Sequence, residues 1–523
     1  MTDRFERFFL ASWLSLVLFS LAFPAMAADL IAGAKWEYST DNGATWDATP
    51  PVVPGGKVMT ISARTSFVLP DVPGCTVLEL TQNVPPGQKV AFDLNGQPLP
   101  LPLKGMVYRT IPAIPPSAFR KGKNELSARI QFDNRPKNED DPVPDAATLA
   151  LETRLAGMGP SDLRIHTGPI LGAVTQKSFT VTCRTNMPVP VTLSVEPASD
   201  AAKAIRQTSE PGLFHRFRVD DLDSRGTWTY RLSVENAPYG LKGKSWPVKL
   251  APAADRPLRL VFMGDCRSRP RDWAAVAAAA LKANPDLVVF NGDMTACGRY
   301  DWLWDEEFHA PAEELLATVP FYPVMGNHEE NAPVYPLLFY TPGGDGKAKN
   351  WVQQIGPVLL IAYDTQWSRS RDVDFPNWLA RNVDASKAKF IFYFTHYPAW
   401  SSGRSTTIHP KTRLPEHSGS RFARQVVVPP LTECHATAMF TSHEHLYERS
   451  DLPGGLTHII SGRAGAPAGR RNEKEDNNPY SKVFSTDLHY CLLEVAGETC
   501  TFKAITPEGK ILDSLAWRAR ETR

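Results

Sequence analysis

The stretch Ala436–Arg449, ATAMFTSHEHLYER, runs from an apolar segment straight into a polar cluster, with His443 and His445 two apart around Glu444. A short apolar run that ends so abruptly is what a strand buried on both faces requires. Side chains two apart on extended backbone point the same way, about 7 Å apart at their bases, so His443 and His445 would each reach one of two metal ions held roughly 3.5 to 4 Å apart, with Glu444 turned away. For one histidine alone, an ordinary core or surface role is the simpler reading. Repetition changes that.

Four other runs follow the same grammar: LRLVFMGDCR (Leu258–Arg267), DLVVFNGDM (Asp286–Met294), FYPVMGNHEE (Phe321–Glu330) and KFIFYFTHYP (Lys389–Pro398). Helical segments alternate with them, among them RDWAAVAAAALKAN, closed by Asn284-Pro285, and FPNWLARNVDAS. Alternating strands and helices read as α/β organisation. In open α/β folds ligands bind beyond the carboxyl ends of the strands. Asp265, Asp293, Asn327, His328, His396, His443 and His445 should therefore converge on one crevice. Carboxylates, an amide carbonyl and imidazoles together suit one or two divalent transition metal ions, Zn, Mn, Fe or Co, better than Ca or Mg alone.

Ahead of this half the patterning differs. The 523-residue chain is 42% hydrophobic and 22% charged, long enough for two to four domains. Its prolines and glycines are thickest in the first half, which favours short strands and turns. Residues 28–160 carry alternating runs such as KVAFDLNG and ELSARIQF, a β-sandwich pattern. DLNGQPLP and FRKGKNELSARI together resemble galactose-binding jelly-roll modules, and STDNGATW (Ser39–Trp46) is similar to the Asp-box hairpin of sialidases. Glycan contact is the functional reading of these features and a plain structural turn the bland one. Residues 161–251 form a second β pattern, in which HRFRVDDLDSRGTWTYRLSV (His215–Val234) resembles the fibronectin III-like domain that precedes the catalytic domain of purple acid phosphatases. The linker APAADRP leads to the α/β part, residues 257–523.

The chain opens with an apolar stretch, Phe8 to Phe23, then Pro24 and Ala25-Met26-Ala27, which reads as a signal peptide over residues 1–27. No later segment is long and apolar enough to span a bilayer, so a periplasmic or secreted protein is expected, with no stable membrane span after cleavage. Cleavage removes Asp3, Arg4, Glu6 and Arg7 together and leaves the net charge at +1, which gives nucleic acid no support as a partner. Seven cysteines show no disulfide framework. With a hairpin turning at Gly497-Glu498, Cys491 and Cys500 fall about four residues out of register, too far to bridge.

The ordered set GD, GD, GNHE, H and HxH resembles the calcineurin-like metallophosphoesterases, and HEHLYER, GNHEE and THIISGRAGAP resemble their purple acid phosphatase branch. The resemblance covers about residues 258 to 515 and implies a four-layer α/β/β/α domain. It implies that Asp293 bridges two metals, that Asn327, His396 and His443 complete one site, and that Asp265 and His445 hold the other. His328 would stand beside the phosphate as electrophile or proton donor. Two positions depart from the family. Arg267 replaces a histidine that many members carry two residues after the first aspartate. Ala296 stands where purple acid phosphatases have a tyrosinate ligand, and Tyr300, the nearest phenol, lies four residues beyond it. Either water and a bidentate Asp265 fill that site, or it is weak and one metal suffices. Arg267 either grips the substrate phosphate in a bidentate fork or pairs with a nearby carboxylate.

The expected reaction is hydrolysis of a small phosphate monoester by water that the metal activates. Phosphodiester or nucleotide hydrolysis is the alternative within enzymes. A catalytically weak pseudoenzyme whose front domains bind glycan or cell envelope is the alternative outside them. Arg404, His409 and His417, in the loop Pro398–Arg421 beside His396, are candidate substrate-binding residues. TSHEH lacks a nucleophile elbow, and Walker A, dinucleotide and CxxC motifs are absent from the sequence.

Overall fold

The computed structural model describes residues 29–73, 77–83, 88–135, 143–198, 204–235, 240–253, 256–341, 349–365, 375–403, 407–472 and 477–520. The segment read as a signal peptide lies outside them, as do Cys75 and Arg404.

The strands Leu258–Met263, Leu287–Phe290 and Phe321–Pro323 run parallel in a six-stranded sheet completed by the antiparallel Tyr490–Ala496, Thr499–Ile505 and Ile511–Arg518. A seven-stranded sheet holds Val358–Ala362, Phe390–Phe394, Ala438–Thr441 and Thr457–Ser461 in parallel, with Trp351–Ile355, Tyr447–Asp451 and Ser481–Ser485 at its margins. Runs such as FIFYF are buried at every position because each strand is covered twice. Between the sheets Phe262 meets Phe440 at a ring distance of 4.7 Å and Phe394 at 5.8 Å. On one outer face the helix Pro270–Lys282 sets Trp273 edge-on against Phe290, and on the other the helix Phe375–Asp384 sets Phe375 against Tyr393. This is the expected α/β/β/α layering. Both expected helices form, the first ending at Lys282, just short of Asn284, whose φ of 51° turns the chain.

The front half consists of antiparallel sheets. In the first region five strands, centred on the pair Val58–Leu69 and Gly122–Asp133, accompany a three-stranded sheet of Val77–Asn83, Thr110–Ile114 and Glu152–Met158. Every second residue of Ile61–Leu69 is buried, the period that one covered face demands. The next region holds a three-stranded sheet, Ile165–Gly172, Phe179–Val189 and Gly212–Val219, and a four-stranded one around Thr192–Pro197 and Trp228–Val234. The hairpin that resembles an Asp box is closed on itself. Asp41 accepts from the Ser39 hydroxyl and from Thr45, and the Trp46 indole donates to the Gly43 carbonyl. Its polar atoms are used within the turn.

Both front regions touch the stretch that follows Asp293. Arg184 pairs bidentately with Asp301, both buried, and Arg109 pairs with Glu306. Val107 forms a parallel bridge with Tyr300, whose ring stacks on Trp302. In the hairpin of Tyr490–Ala496 and Thr499–Ile505, Cys491 lies opposite Ala504 and Cys500 opposite Val495, and both thiols are free, as their register leads one to expect.

Candidate metal centre and active site

The parallel strands of both sheets end at one place, and glycines let their loops cross there. A Cβ on Gly292 would lie 2.4 Å from the Gly326 nitrogen, and one on Gly326 would lie 2.4 Å from Asp293 Oδ1. One on Gly264 would strike the Ser442 hydroxyl at 2.2 Å. Each carboxylate or amide of the cluster therefore follows a glycine because a neighbouring loop leaves no room for a side chain at that point. Asn291 joins the sheets: its side-chain nitrogen donates to the carbonyls of Thr395 and Phe440, both at 2.9 Å.

Around Asp293 the donors converge. Asp293 Oδ1 lies 3.3 Å from His396 Nε2. Asn327 Oδ1 lies 3.1 Å from the same nitrogen and 3.0 Å from His443 Nδ1. Atoms of Asp293, His396 and His443 all fall within 4.8 Å of one another, and so do atoms of Asp265, Asp293 and His445. His396 Nδ1 donates to the Asn291 carbonyl at 2.6 Å, which turns Nε2 toward the Asn327 oxygen. Donor atoms gathered at this distance repel unless a proton or a cation lies among them, so this set fits a metal ion.

The electrostatics agree. Burial opposes both charges of the pair, yet Asp293 pushes the His396 imidazole up to about 10, and His396 holds Asp293 well below the usual carboxylate range. A proton between them serves the purpose a divalent ion would serve. Burial, with His396 beside it, keeps His443 neutral by pushing its pKa well down.

The second group is thinner. Asp265 Oδ2 accepts the His443 backbone N–H at 3.0 Å, while its Oδ1 is buried, 3.5 Å from His445 Nε2 and without a hydrogen bond. Burial raises Asp265 well above the carboxylate range. His445 donates Nδ1–H to the Pro467 carbonyl at 2.8 Å and presents Nε2 to the cleft. Burial and then Arg267 push it down to about 4. The guanidinium of Arg267 lies 3.4 Å from His445 Nε2 and 3.7 Å from Asp293 Oδ2.

His328 is held by its backbone, which donates to Asp293 Oδ1 at 3.0 Å, and by Nδ1, which donates to the Ala296 carbonyl at 2.7 Å. Its Nε2 lies 3.9 Å from Asp293 Oδ2 on the accessible side.

Residues 442–446 are not an extended strand, which ends at Thr441. His443 has φ of 71°, and Glu444 and Leu446 each donate to the carbonyl two residues back. His443 and His445 reach different donor groups because this tight winding splays them, not because they share one face of a strand.

Of the loop candidates, His417 stacks on Tyr397 at 4.1 Å, and Tyr397 lies 4.4 Å from the His443 ring. His409 is exposed and accepts from the Thr412 backbone, with no recorded contact to the cluster among the described residues.

Sequence reasoning passed over Glu329, which is buried and accepts N–H groups from Asp293, Met294 and Gly326 at 3.0, 2.7 and 2.6 Å. It likewise gave no role to Asn291 or to Glu448, which anchors Ser402 of the neighbouring loop. The signal was available as GNHEE, FNGD and YER, polar residues where a buried loop needs acceptors and donors.

Residues 258–447 match the family model of the calcineurin-like phosphoesterases. The chain carries a metallophosphoesterase domain. Human tartrate-resistant acid phosphatase type 5 is 22% identical to this chain over 313 residues, 50% of this chain and 91% of that protein. "Probable inactive purple acid phosphatase 9" of Arabidopsis thaliana is 22% identical over 248 residues, and the match spans 38% of this chain and only 37% of that relative. The structure of purple acid phosphatase PPD1 from yellow lupin superposes with a TM-score of 0.60 at 14% identity, over 88% of this chain and 92% of that one. The metallophosphoesterase domain is thus similar in fold to the purple acid phosphatases, and the likeness in fold extends into the β-rich front half.

Proposed function

We propose that the chain is an exported metal-dependent phosphoesterase that hydrolyses small phosphate monoesters. The convergence of Asp293, Asn327, His396 and His443, donor atom upon donor atom beside an accessible His328, carries this reading. Those four residues would hold a divalent ion. When bound, such an ion lowers the pKa of water toward about 7 and neutralises phosphoryl oxygens.

The remaining work falls to the chain itself. The Ala296 carbonyl fixes the ring of His328, so that Nε2 can hold a proton and pass it to the leaving oxygen. Arg267 adds a positive charge, which favours a dianionic monoester over a monoanionic diester. Tyr397 packs the imidazoles of His396 and His443 in place and excludes water from behind them. His417, stacked on Tyr397, is the loop candidate best placed to meet a substrate. The domain limits, 28–160, 161–251 and 257–523, and export directed by residues 1–27 are part of the same proposal.

The test is turnover of para-nitrophenyl phosphate and its bis ester by the purified chain with Mn, Zn, Co or Fe. Faster monoester hydrolysis supports the reading, and faster diester hydrolysis replaces it with a phosphodiesterase. Absence of turnover with every ion favours the pseudoenzyme, a reading suggested by Ala296 and by a relative whose name calls it inactive.

A further inference from the structure

We infer that the guanidinium of Arg267 stands in for one of two cations, so that the chain binds a single metal ion at Asp293, Asn327, His396 and His443. The inference rests on the metallophosphoesterase reading and concerns how its positive charge is divided.

The two donor groups are unequal. The first offers two imidazoles, an amide oxygen and a carboxylate, and the second offers two carboxylates and one imidazole. The second group's single nitrogen donor is already engaged. His445 gives its Nδ1 proton to the Pro467 carbonyl, so Nε2 carries the lone pair, and Arg267 Nη2 lies 3.4 Å from it. Arg267 Nε lies 3.7 Å from Asp293 Oδ2, so the guanidinium spans two members of the group.

Its position is fixed from the backbone. The N–H groups of Cys266 and Arg267 both point at the Asp293 backbone carbonyl, at 3.1 and 3.3 Å, so the side chain starts beside Asp293 and extends across the group. A guanidinium does not lose its proton in proteins, so it cannot become a ligand, and a divalent ion beside it would face a fixed like charge. The guanidinium also sets a fixed positive charge beside Asp293, the carboxylate that the two groups share. Tyr300, the nearest phenol along the chain, is engaged elsewhere, bridged to Val107 and stacked on Trp302. The guanidinium's remaining N–H groups would then grip a phosphoryl oxygen.

The experiment loads the full chain with excess Mn(II), removes unbound ion, and measures Mn per chain by elemental analysis and by electron paramagnetic resonance. The expected wild type holds one Mn with the six-line spectrum of an isolated ion. His445→Ala keeps that ion, and His396→Ala loses it. Arg267→His frees the second group and supplies a nitrogen donor, so it should hold two ions with a spin-coupled spectrum. Should that variant misfold, Arg267→Ala should bind a second ion at raised Mn concentration. Two ions in the wild type, loss of an ion in His445→Ala, or no second ion in any folded Arg267 variant would overturn the inference. A wild type that binds none removes the metal reading itself, a different and distinguishable failure.

Discussion

Asn291 holds the two sheets of the catalytic domain at the point where the candidate ligands emerge, and its replacement by alanine measures what that link contributes. Its side-chain nitrogen donates to the Thr395 and Phe440 carbonyls, each at 2.9 Å, from a position with no exposure to solvent. Asn291→Ala strands the Thr395 carbonyl and leaves that of Phe440 with the Thr395 N–H as its remaining donor. A buried polar group left without its partner costs about 1 to 3 kcal/mol. With one carbonyl stranded outright and the other losing one of its two donors, roughly 3 kcal/mol is expected. The Asn291 carbonyl still accepts from His396, so one ligand keeps its tether. The loss should therefore appear as easier local opening between the sheets rather than as global collapse. Native-state hydrogen exchange reads this at the Thr395 amide, which bonds to the Phe440 carbonyl, and at the Ser442 amide, which bonds to that of His396. Roughly 3 kcal/mol corresponds to about a hundredfold faster exchange at both. Exchange within threefold of the wild type, with metal affinity unchanged, would refute the claim that Asn291 couples the sheets.

Asp293→Ala should lose metal and activity together, whereas His328→Ala should keep its metal content and lose about 100- to 10,000-fold in kcat, read by elemental analysis beside a phosphatase assay. Gly326→Ala would bring a methyl group to 2.4 Å from Asp293 Oδ1, so it should displace that carboxylate and weaken metal binding in an equilibrium titration while the far-UV spectrum stays unchanged. Burial pushes His215 and His489 down to about 4 and His458 to about 3. Unfolded imidazoles take up protons below about pH 6.5 while these stay neutral in the fold, so stability should fall by about 1.4 kcal/mol per pH unit for each as the pH drops from 6.5 toward 5. A thermal midpoint that stays flat across that window would exclude them as the source of acid lability.

The catalytic fold was legible because its strands are buried on both faces. A run such as FIFYF has no polar position to confuse it, and the polar residue that ends each run marks the crevice. Residue identity alone therefore named Asp265, Asp293, Asn327, His396, His443 and His445, which the fold gathers into two groups. The winding of residues 442–446 was not legible. His443 adopts φ of 71°, a conformation its own side chain does not favour, and only tertiary hydrogen bonds hold it there. The environment of Arg267 was equally out of reach, since its neighbours His445 and Asp293 are 178 and 26 positions away in the chain. The bridge between Val107 and Tyr300 joins two regions whose local patterns carry no mark of each other.

Three candidate ligands, Asp265, Asp293 and His443, occupy the left-handed region with φ of 57°, 56° and 71°. Each costs about 1 to 2 kcal/mol there, so the cluster is stable only if its surroundings over-determine it. They do so in a chain of dependence. The Asp265 N–H is held by the Gly292 carbonyl, the Asp293 N–H by Glu329, and the His443 N–H by the Asp265 carboxylate. A donor of the second group therefore fixes the backbone of a donor of the first. Asp265→Ala would do two things at once, removing a carboxylate from one group and releasing His443 in the other, so its effect on metal binding cannot be assigned to either. His445, whose ring is tethered to Pro467 rather than to another candidate ligand, carries no such double duty. Combining Asp265→Ala with His443→Ala should consequently cost less metal affinity than the two separate losses summed, because the first substitution already frees what the second removes. Strict additivity in that cycle would mean that the carboxylate acts on the metal alone and that the strained turn at His443 is held by something else.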